Sequence, residues 1–338
     1  MKDAIITRTA TAFQPEWQNL LANAISSPME LLHQLDLHES PLAQQLDIQP
    51  DFRLRVPVGF VEKMKKGDPN DPLLLQVLPL AKENIKKVGF ISDPVGDLAS
   101  EVVPGVLHKY QGRALLVTTG ACGIHCRYCF RRHFPYGDSN PSTGQWQTAI
   151  DYISSSDSIN EVLLSGGDPL SLTDKKLAIL IAELNKISHV KRLRIHTRMP
   201  VVLPERIDNH FLDLIKSAKQ KVIMVIHANH ANEIDHNLQA VMDKLTKAGV
   251  TLLNQSVLLR GINDTAESLV DLSEKLFEIN VMPYYLHLLD PVQGAAHFNI
   301  EREEATTIME SVRDQLPGYL VPKLVWEKPG ANSKLAII

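Results

Sequence analysis

The sequence predicts an α/β fold: six parallel strands alternating with helices and closing into a partial (βα)6 barrel of the TIM type. An irregular helical region precedes it and a short extended segment follows. Three observations predict this. Strand-like runs begin near residues 113, 160, 192, 221, 250 and 281, most of them about 30 residues apart, the span of one strand–helix–strand unit. Runs such as VLL and VIMVI are continuously apolar, as parallel strands covered on both faces are. Periodicity alone fits an open doubly wound sheet equally well. Polar residues, however, follow the end of every strand, which is how a barrel builds a site, whereas an open sheet gathers them at one switch point.

The elements follow in order. Residues 1–105 carry helical spacing in PEWQNLLANAI and PMELLHQLDL, and eight prolines between 41 and 104 cut the region into short pieces. Residues 106–316 form the core, with strands RALLVTT, NEVLLSGG, RLRIHTR, KVIMVIHAN, VTLLNQSVLL and VMPYYLHLL. Leu177, Leu180, Ile181, Leu184 and Ile187 make one helical stripe, entered through a capping signal at Ser171-x-x-Asp174. Leu238, Val241, Met242 and Leu245 make a second, closed by Gly249. A third contains Leu269, Leu272, Leu276 and Phe277, with Asn280 after it. Residues 317–338 read as appended extended chain.

Composition narrows the function. The hydrophobic share of 44% and charged share of 22% are ordinary globular values and exclude a disordered chain. A net charge of −4, from 35 basic and 39 acidic residues, leaves no electrostatic footprint for nucleic acid. No run reaches the ~18 consecutive apolar residues of a membrane span. The opening MKDAIITRTATAFQPEW lacks the apolar stretch of a targeting signal. Three cysteines make no disulfide framework, and their odd number fits a reducing cytoplasm.

All three cysteines fall within eight residues, as Cys122-Gly-Ile-His-Cys126-Arg-Tyr-Cys129. A structural zinc site with His125 or His133 as fourth ligand is one reading, but zinc motifs pair their ligands and no second pair exists here. An iron–sulfur cluster takes thiolates as its ordinary ligands. A cube of four irons wants four, so three cysteines leave one iron open to a small molecule.

Cys-x3-Cys-x2-Cys with an aromatic residue before the last cysteine, on the loop after the first strand, resembles the signature of radical S-adenosylmethionine enzymes. The resemblance implies a 4Fe–4S cluster on Cys122, Cys126 and Cys129, whose open iron chelates S-adenosylmethionine and generates a 5′-deoxyadenosyl radical. Ser165-Gly166-Gly167-Asp168 is similar to the family's glycine-rich motif beside the methionine amino group. His227, Gln255 and Ser256 match further S-adenosylmethionine contacts. CRYCFRRHF, SGGDPL, HTRMPVVLPERI, NQSVLLRGIND, YYLHLLDPVQGAAHF and PGANSK together resemble the lysine 2,3-aminomutases over residues 108–338.

That resemblance implies a second cofactor, pyridoxal phosphate, attached to Lys334 of PGANSK, with Arg113 and Lys109 near its phosphate. An arginine is usual where Lys109 stands. Arg131 matches the arginine that reads the substrate carboxylate, and Asp290 and Glu327 the two acids that hold the substrate's ε-ammonium, although aspartate is commoner at the second position. Lysine-fermenting members carry an extra cysteine-bound metal, with one of those cysteines where Thr265 stands here. The shorter form resembles the EpmB branch, which makes (R)-β-lysine for attachment to elongation factor P by a separate ligase. The expected activity is therefore an isomerase on free L-lysine fed by an external electron donor, compatible with a homo-oligomer. The alternatives are an aminomutase for glutamate or arginine, and a non-catalytic iron–sulfur protein.

Overall fold

The computed structural model describes residues 15–139 and 146–338. Its centre is one sheet of ten strands hydrogen-bonded in chain order. They are β1 (Glu101–Val103), β2 (Val106–Tyr110), β3 (Arg113–Thr119), β4 (Glu161–Gly166) and β5 (Arg192–Thr197). There follow β6 (Lys221–His227), β7 (Thr251–Val257), β8 (Met282–His287), β9 (Lys323–Trp326) and β10 (Leu335–Ala336). From β3 to β9 every pairing is parallel. The hairpins at the two edges, β1–β2–β3 and β9–β10, are antiparallel. A doubly wound sheet reverses its strand order at a switch point. This order never reverses, so the sheet is singly wound, as in a barrel.

The six expected strands begin within one residue of their predicted starts. The C-terminal segment differs from expectation. Lys323–Trp326 is a seventh parallel strand beside β8, and Leu335–Ala336 folds back on it, so the sheet runs on past residue 316. Four residues are too few to show a period, and both Leu324 and Val325 are buried, which hides any alternation.

Helices cover the outside. The Asp174–Leu184 helix buries Leu177, Leu180, Ile181 and Leu184, but its cap is Thr173, whose side chain accepts from Lys176 N, and Ser171 lies in the preceding turn. The His236–Lys247 helix buries Leu238, Val241, Met242 and Leu245, and Gly249 takes the left-handed φ of 81° that ends it. Thr265 caps the Ala266–Glu278 helix, which buries Leu269, Leu272 and Leu276 while Phe277 stays exposed. Among the described residues no helix is long and apolar enough to cross a membrane.

The N-terminal region holds short helices, Glu16–Ala22, Pro28–Gln34, Val58–Val61 and Pro72–Leu75. Its Trp17, Leu31, Phe60 and Leu73 share one apolar cluster with Leu116, Ile195 and Met224 of the barrel strands. The region therefore packs on the barrel as a continuation of its core.

Leu324 is fully buried in β9, the strand that leads to Glu327. Leu324→Ala is expected to cost ~2–5 kcal/mol of unfolding free energy, measured by chemical denaturation. An unchanged midpoint would mean that β9 is not part of the cooperative core.

Candidate active site

A cavity of about 270 Å³ opens where the strands end and runs into the barrel. The cysteine loop after β3 lines it, as do Ser165–Asp168 after β4 and Arg194, His196 and Arg198 of β5 and its following turn. His227 of β6, Gln255 of β7, and Tyr285, His287 and Asp290 from β8 onward complete its wall. Lys109 and Arg113 enter from the β2–β3 hairpin, Glu327 and Lys334 from the C-terminal segment. All but one of the residues expected in the site therefore line a single cavity. The exception is Ser256. Side chains alternate along β7, so with Gln255 facing in, Ser256 faces out, and its hydroxyl is spent on Ala228 O at 2.7 Å and Asn254 Nδ2 at 2.9 Å.

The cysteine loop is clasped by the N-terminal region. His125 N donates to Arg55 O at 3.0 Å and Arg127 N to Gln76 O at 2.9 Å. Arg127 grips the buried Glu83 with two nitrogens, Nε at 2.8 Å and Nη2 at 2.5 Å, and gives Nη1 to Phe52 O at 2.6 Å. Arg132 reaches the same Glu83 at 2.9 Å. On the other side the glycine-rich turn lies directly beneath the loop. Gly167 N donates to Thr119 O at 2.7 Å and Asp168 N to Ala121 O at 2.8 Å. A Cβ on Gly167 would sit 2.4 Å from Ala121 O, a backbone atom, so only glycine fits.

Burial pushes the Cys122 thiol up, and that of Cys129 to about 11, so their thiolate forms require a cation beside them. Neither zinc-ligand candidate is disposed to help. His125 Nδ1 pairs with Arg53 O at 2.9 Å, and His133 Nε2 with Gln293 O at 3.1 Å. Among the described residues no three His, Cys, Asp or Glu side chains converge on a single metal ion. Three thiols spread around a loop instead suit a cluster, which takes each ligand on a different iron.

Asp168 differs from expectation in how it works. Its carboxylate accepts from Leu170 N, Thr197 Oγ1, Arg198 N and Met199 N at 2.6–3.2 Å. It ties the β4 turn to the β5 turn, and has little left for a ligand. Burial raises its pKa against these hydrogen bonds.

A chain of alternating charges crosses the cavity: Arg131, Asp97, Lys109, Glu327, Lys334. Arg131 Nε donates to Asp97 Oδ2 at 2.7 Å, and Lys109 reaches Asp97 at 2.6 Å and Glu327 at 3.1 Å. Lys334 closes the chain on Glu327. Burial works to raise the pKa of Glu327, but Lys334 and Lys109 hold it at about 2. Asp290 has no such clamp: burial lifts it to about 7 despite Lys334 nearby. The expected role of Lys109 at a phosphate meets a physical obstacle. An ammonium has three donors, and Lys109 gives them to Asp97, Glu327 and Val95 O. Arg113 lies 4.5 Å over the Tyr110 ring, and among the described residues no carboxylate pairs with it. It is the cation left for an anionic ligand.

Asp97 escaped the sequence reading, as did the roles of His196 and His287. His287 is buried and His196 half-buried, each with a buried Nε2 unpartnered in the cavity wall, and desolvation holds both well below the usual histidine range. Buried polar atoms are nearly always paired, so these two suit hydrogen bonds to a bound polar molecule. His227 meets the Gln255 side chain at 2.9 Å and is held at about 3 by burial, with Arg198 and Arg131 adding to the effect. Strand phase carried a signal for His287, which shares the inward face of β8 with Tyr285.

Residues 116–273 match the Radical SAM superfamily. The L-lysine 2,3-aminomutase of Escherichia coli is 46% identical over 332 residues, 98% of this chain and 97% of that one. Its namesake from Haemophilus influenzae is 48% identical over 95% of each chain. The chain belongs to the L-lysine 2,3-aminomutase family. Another namesake, from Clostridium subterminale, is 35% identical over 96% of this chain and 78% of its own. Membership in this radical SAM family brings a 4Fe–4S cluster and S-adenosylmethionine, and the partial barrel is the radical SAM fold. A radical SAM methyltransferase from Sphaerobacter thermophilus is similar over 65% of this chain and 68% of its own, with 13% identity and a TM-score of 0.46.

Gly167→Ala is expected to push the β4 turn off the cysteine loop, lowering iron content and S-adenosylmethionine binding together while the fold persists. Iron analysis, equilibrium binding and circular dichroism of the anaerobically prepared variant check this. Normal binding of both would show that the turn and the loop are not in register.

Proposed function

We propose that this chain is an isomerase that moves the α-amino group of free L-lysine to C3, with pyridoxal phosphate on Lys334, and that its (R)-β-lysine product serves the modification of elongation factor P. The observation that carries the reading is the meeting of Lys334 with Glu327 and Asp290 in the cavity lined by the three cysteines. Glu327 already pairs with one primary ammonium and Asp290 lines the same cavity; a primary ammonium is the group at the end of a lysine substrate. When Lys334 is committed to the coenzyme, Glu327 loses one of its two cations and is left with Lys109 at 3.1 Å. A substrate ammonium restores the balance. A glutamate side chain would meet like charge there.

The cluster and S-adenosylmethionine supply a radical that takes hydrogen from the substrate, and pyridoxal phosphate supplies the carbonyl that carries the migrating nitrogen. The chain's own residues bind and orient. Arg131 is fixed by Asp97 and by Ser165 Oγ at 3.1 Å, so its guanidinium keeps one direction and a permanent charge for the substrate carboxylate. Arg113 is the cation for the coenzyme phosphate, and Lys109 acts one step removed, through Asp97 and Glu327. Gly166, Gly167, His227 and Gln255 face S-adenosylmethionine. Thr265, at the position of one of the extra metal-binding cysteines of the lysine-fermenting forms, caps a helix instead, which supports the elongation factor P role.

An anaerobic assay with reductant, S-adenosylmethionine, pyridoxal phosphate and single amino acids tests the activity, with products resolved by chirality. (R)-β-lysine from L-lysine is the expected product. A β-amino acid formed from glutamate or arginine in preference would overturn the substrate. Transfer of the product to elongation factor P by its ligase tests the destination. Lys334→Ala should lose the visible absorbance of bound coenzyme yet retain iron, because the two attachments are separate.

The pH dependence follows from Asp290. Its raised pKa leaves it partly protonated near neutrality, and the anion is the form that holds an ammonium. kcat/KM for lysine should therefore rise with pH through about 7. Asp290→Asn should flatten that limb and lower kcat/KM roughly 100-fold, the scale for losing one partner of a buried charge pair. Equal losses for lysine and for the uncharged isostere norleucine would assign Asp290 a structural role.

A further inference from the structure

We propose that Arg198 is a positioning residue for the iron–sulfur cluster, holding a permanent positive charge against the sulfur of Cys126 and thereby making the cluster easier to reduce. The inference rests on the cluster reading of the three cysteines. Arg198 begins the turn after β5, where its backbone N is fixed by Asp168 Oδ2 at 2.7 Å. Its Nη1 donates to Cys126 Sγ at 2.7 Å and to Tyr128 Oη at 2.6 Å. Its Nη2 donates to Gln76 Oε1 at 2.7 Å and to Glu233 Oε2 at 2.8 Å. All four hydrogens of the two terminal nitrogens are thus assigned, and one goes to a cluster-binding sulfur.

The surroundings leave this guanidinium one pose. Glu233 is fully buried and accepts from Asn229 N at 2.8 Å and Gln76 Nε2 at 3.1 Å, so it cannot swing away. Asn229 Nδ2 steadies Gln76 Oε1 at 2.9 Å and Tyr128 Oη at 2.6 Å. Cys126 takes a charged donor. Hydrogen bonds to cluster sulfurs and nearby charge set the reduction potential, and in a water-excluded site both act strongly. A cation beside the thiolate favours the form with one more electron. That electron comes from an external one-electron donor, and the cluster passes it on to S-adenosylmethionine.

The test is an anaerobic redox titration of the purified holoenzyme without substrate, followed by electron paramagnetic resonance, with iron and sulfide content measured on each sample. Arg198→Gln alone leaves Glu233 as an unpaired buried charge, so Arg198→Gln with Glu233→Gln is compared with Glu233→Gln. The double variant should keep its cluster but show at least ~10-fold less reduced cluster at a fixed poise, about 59 mV for one electron. Arg198→Lys, which keeps the charge, should stay near the native potential. An unchanged potential in a fully loaded double variant would overturn the inference. So would failure of every charge-neutral variant to assemble a cluster, since Arg198 would then be a scaffold for Cys126. Absence of a cluster from the native enzyme would overturn the cluster reading itself.

Discussion

The bidentate ion pair between Arg127 and Glu83 is the constraint on which the rest of the site depends. Arg127 stands between two of the cysteines, and Glu83 belongs to a short turn of the N-terminal region. Burying two charges is costly unless every donor and acceptor is used. Here Arg127 spends Nε and Nη2 on the carboxylate and Nη1 on Phe52 O, with its face on the Phe52 ring at 5.1 Å. Glu83 also takes Arg132 and Leu80 N. Breaking this arrangement leaves an uncompensated charge, so the cysteine loop from Cys122 to Cys129 has one conformation. Thiols that must meet separate corners of a cluster need that fixity.

Two further polar systems are built on that base. One surrounds Cys126 with Arg198, Gln76, Asn229 and Glu233; the other is the alternating chain from Arg131 to Lys334. Each includes a residue from the N-terminal region, Gln76 in the first and Asp97 in the second. Removing that region would expose barrel core and would also take a hydrogen-bond partner from each of Arg198, Arg131 and Lys109. Its packing and its chemistry are therefore the same fact. The C-terminal strand does the corresponding work on the opposite edge, where β9 beside β8 carries Glu327 toward Lys109.

The barrel was legible because its signals are local. Continuous apolar runs and stripes such as Leu238, Val241, Met242 and Leu245 record burial directly in the order of residues. The cysteine loop and SGGD were legible because their spacing is short and their chemistry narrow. What escaped was non-local. Nothing in GDLAS marks Asp97 as the partner of Arg131 and Lys109, because the pairing exists only once the N-terminal region folds back. Asp168 was matched to a ligand contact while its oxygens serve four donors of neighbouring turns, and Ser256 was matched to one while its hydroxyl bonds Ala228 O and Asn254 Nδ2. Strand β9 was hidden by its brevity. In each case the deciding partner lies far along the chain, or the deciding fact is the phase of one residue.

A double-mutant cycle on Glu83 and Arg127 tests most directly whether the N-terminal region holds the cluster loop in place. Glu83→Gln, Arg127→Gln and the double variant are compared by unfolding free energy and by iron bound after anaerobic reconstitution. Each single change should cost ~3–5 kcal/mol and lower the iron content, while the double change costs clearly less than their sum, because neither buried charge is then left alone. Strictly additive losses, or full iron content in both single variants, would contradict the account.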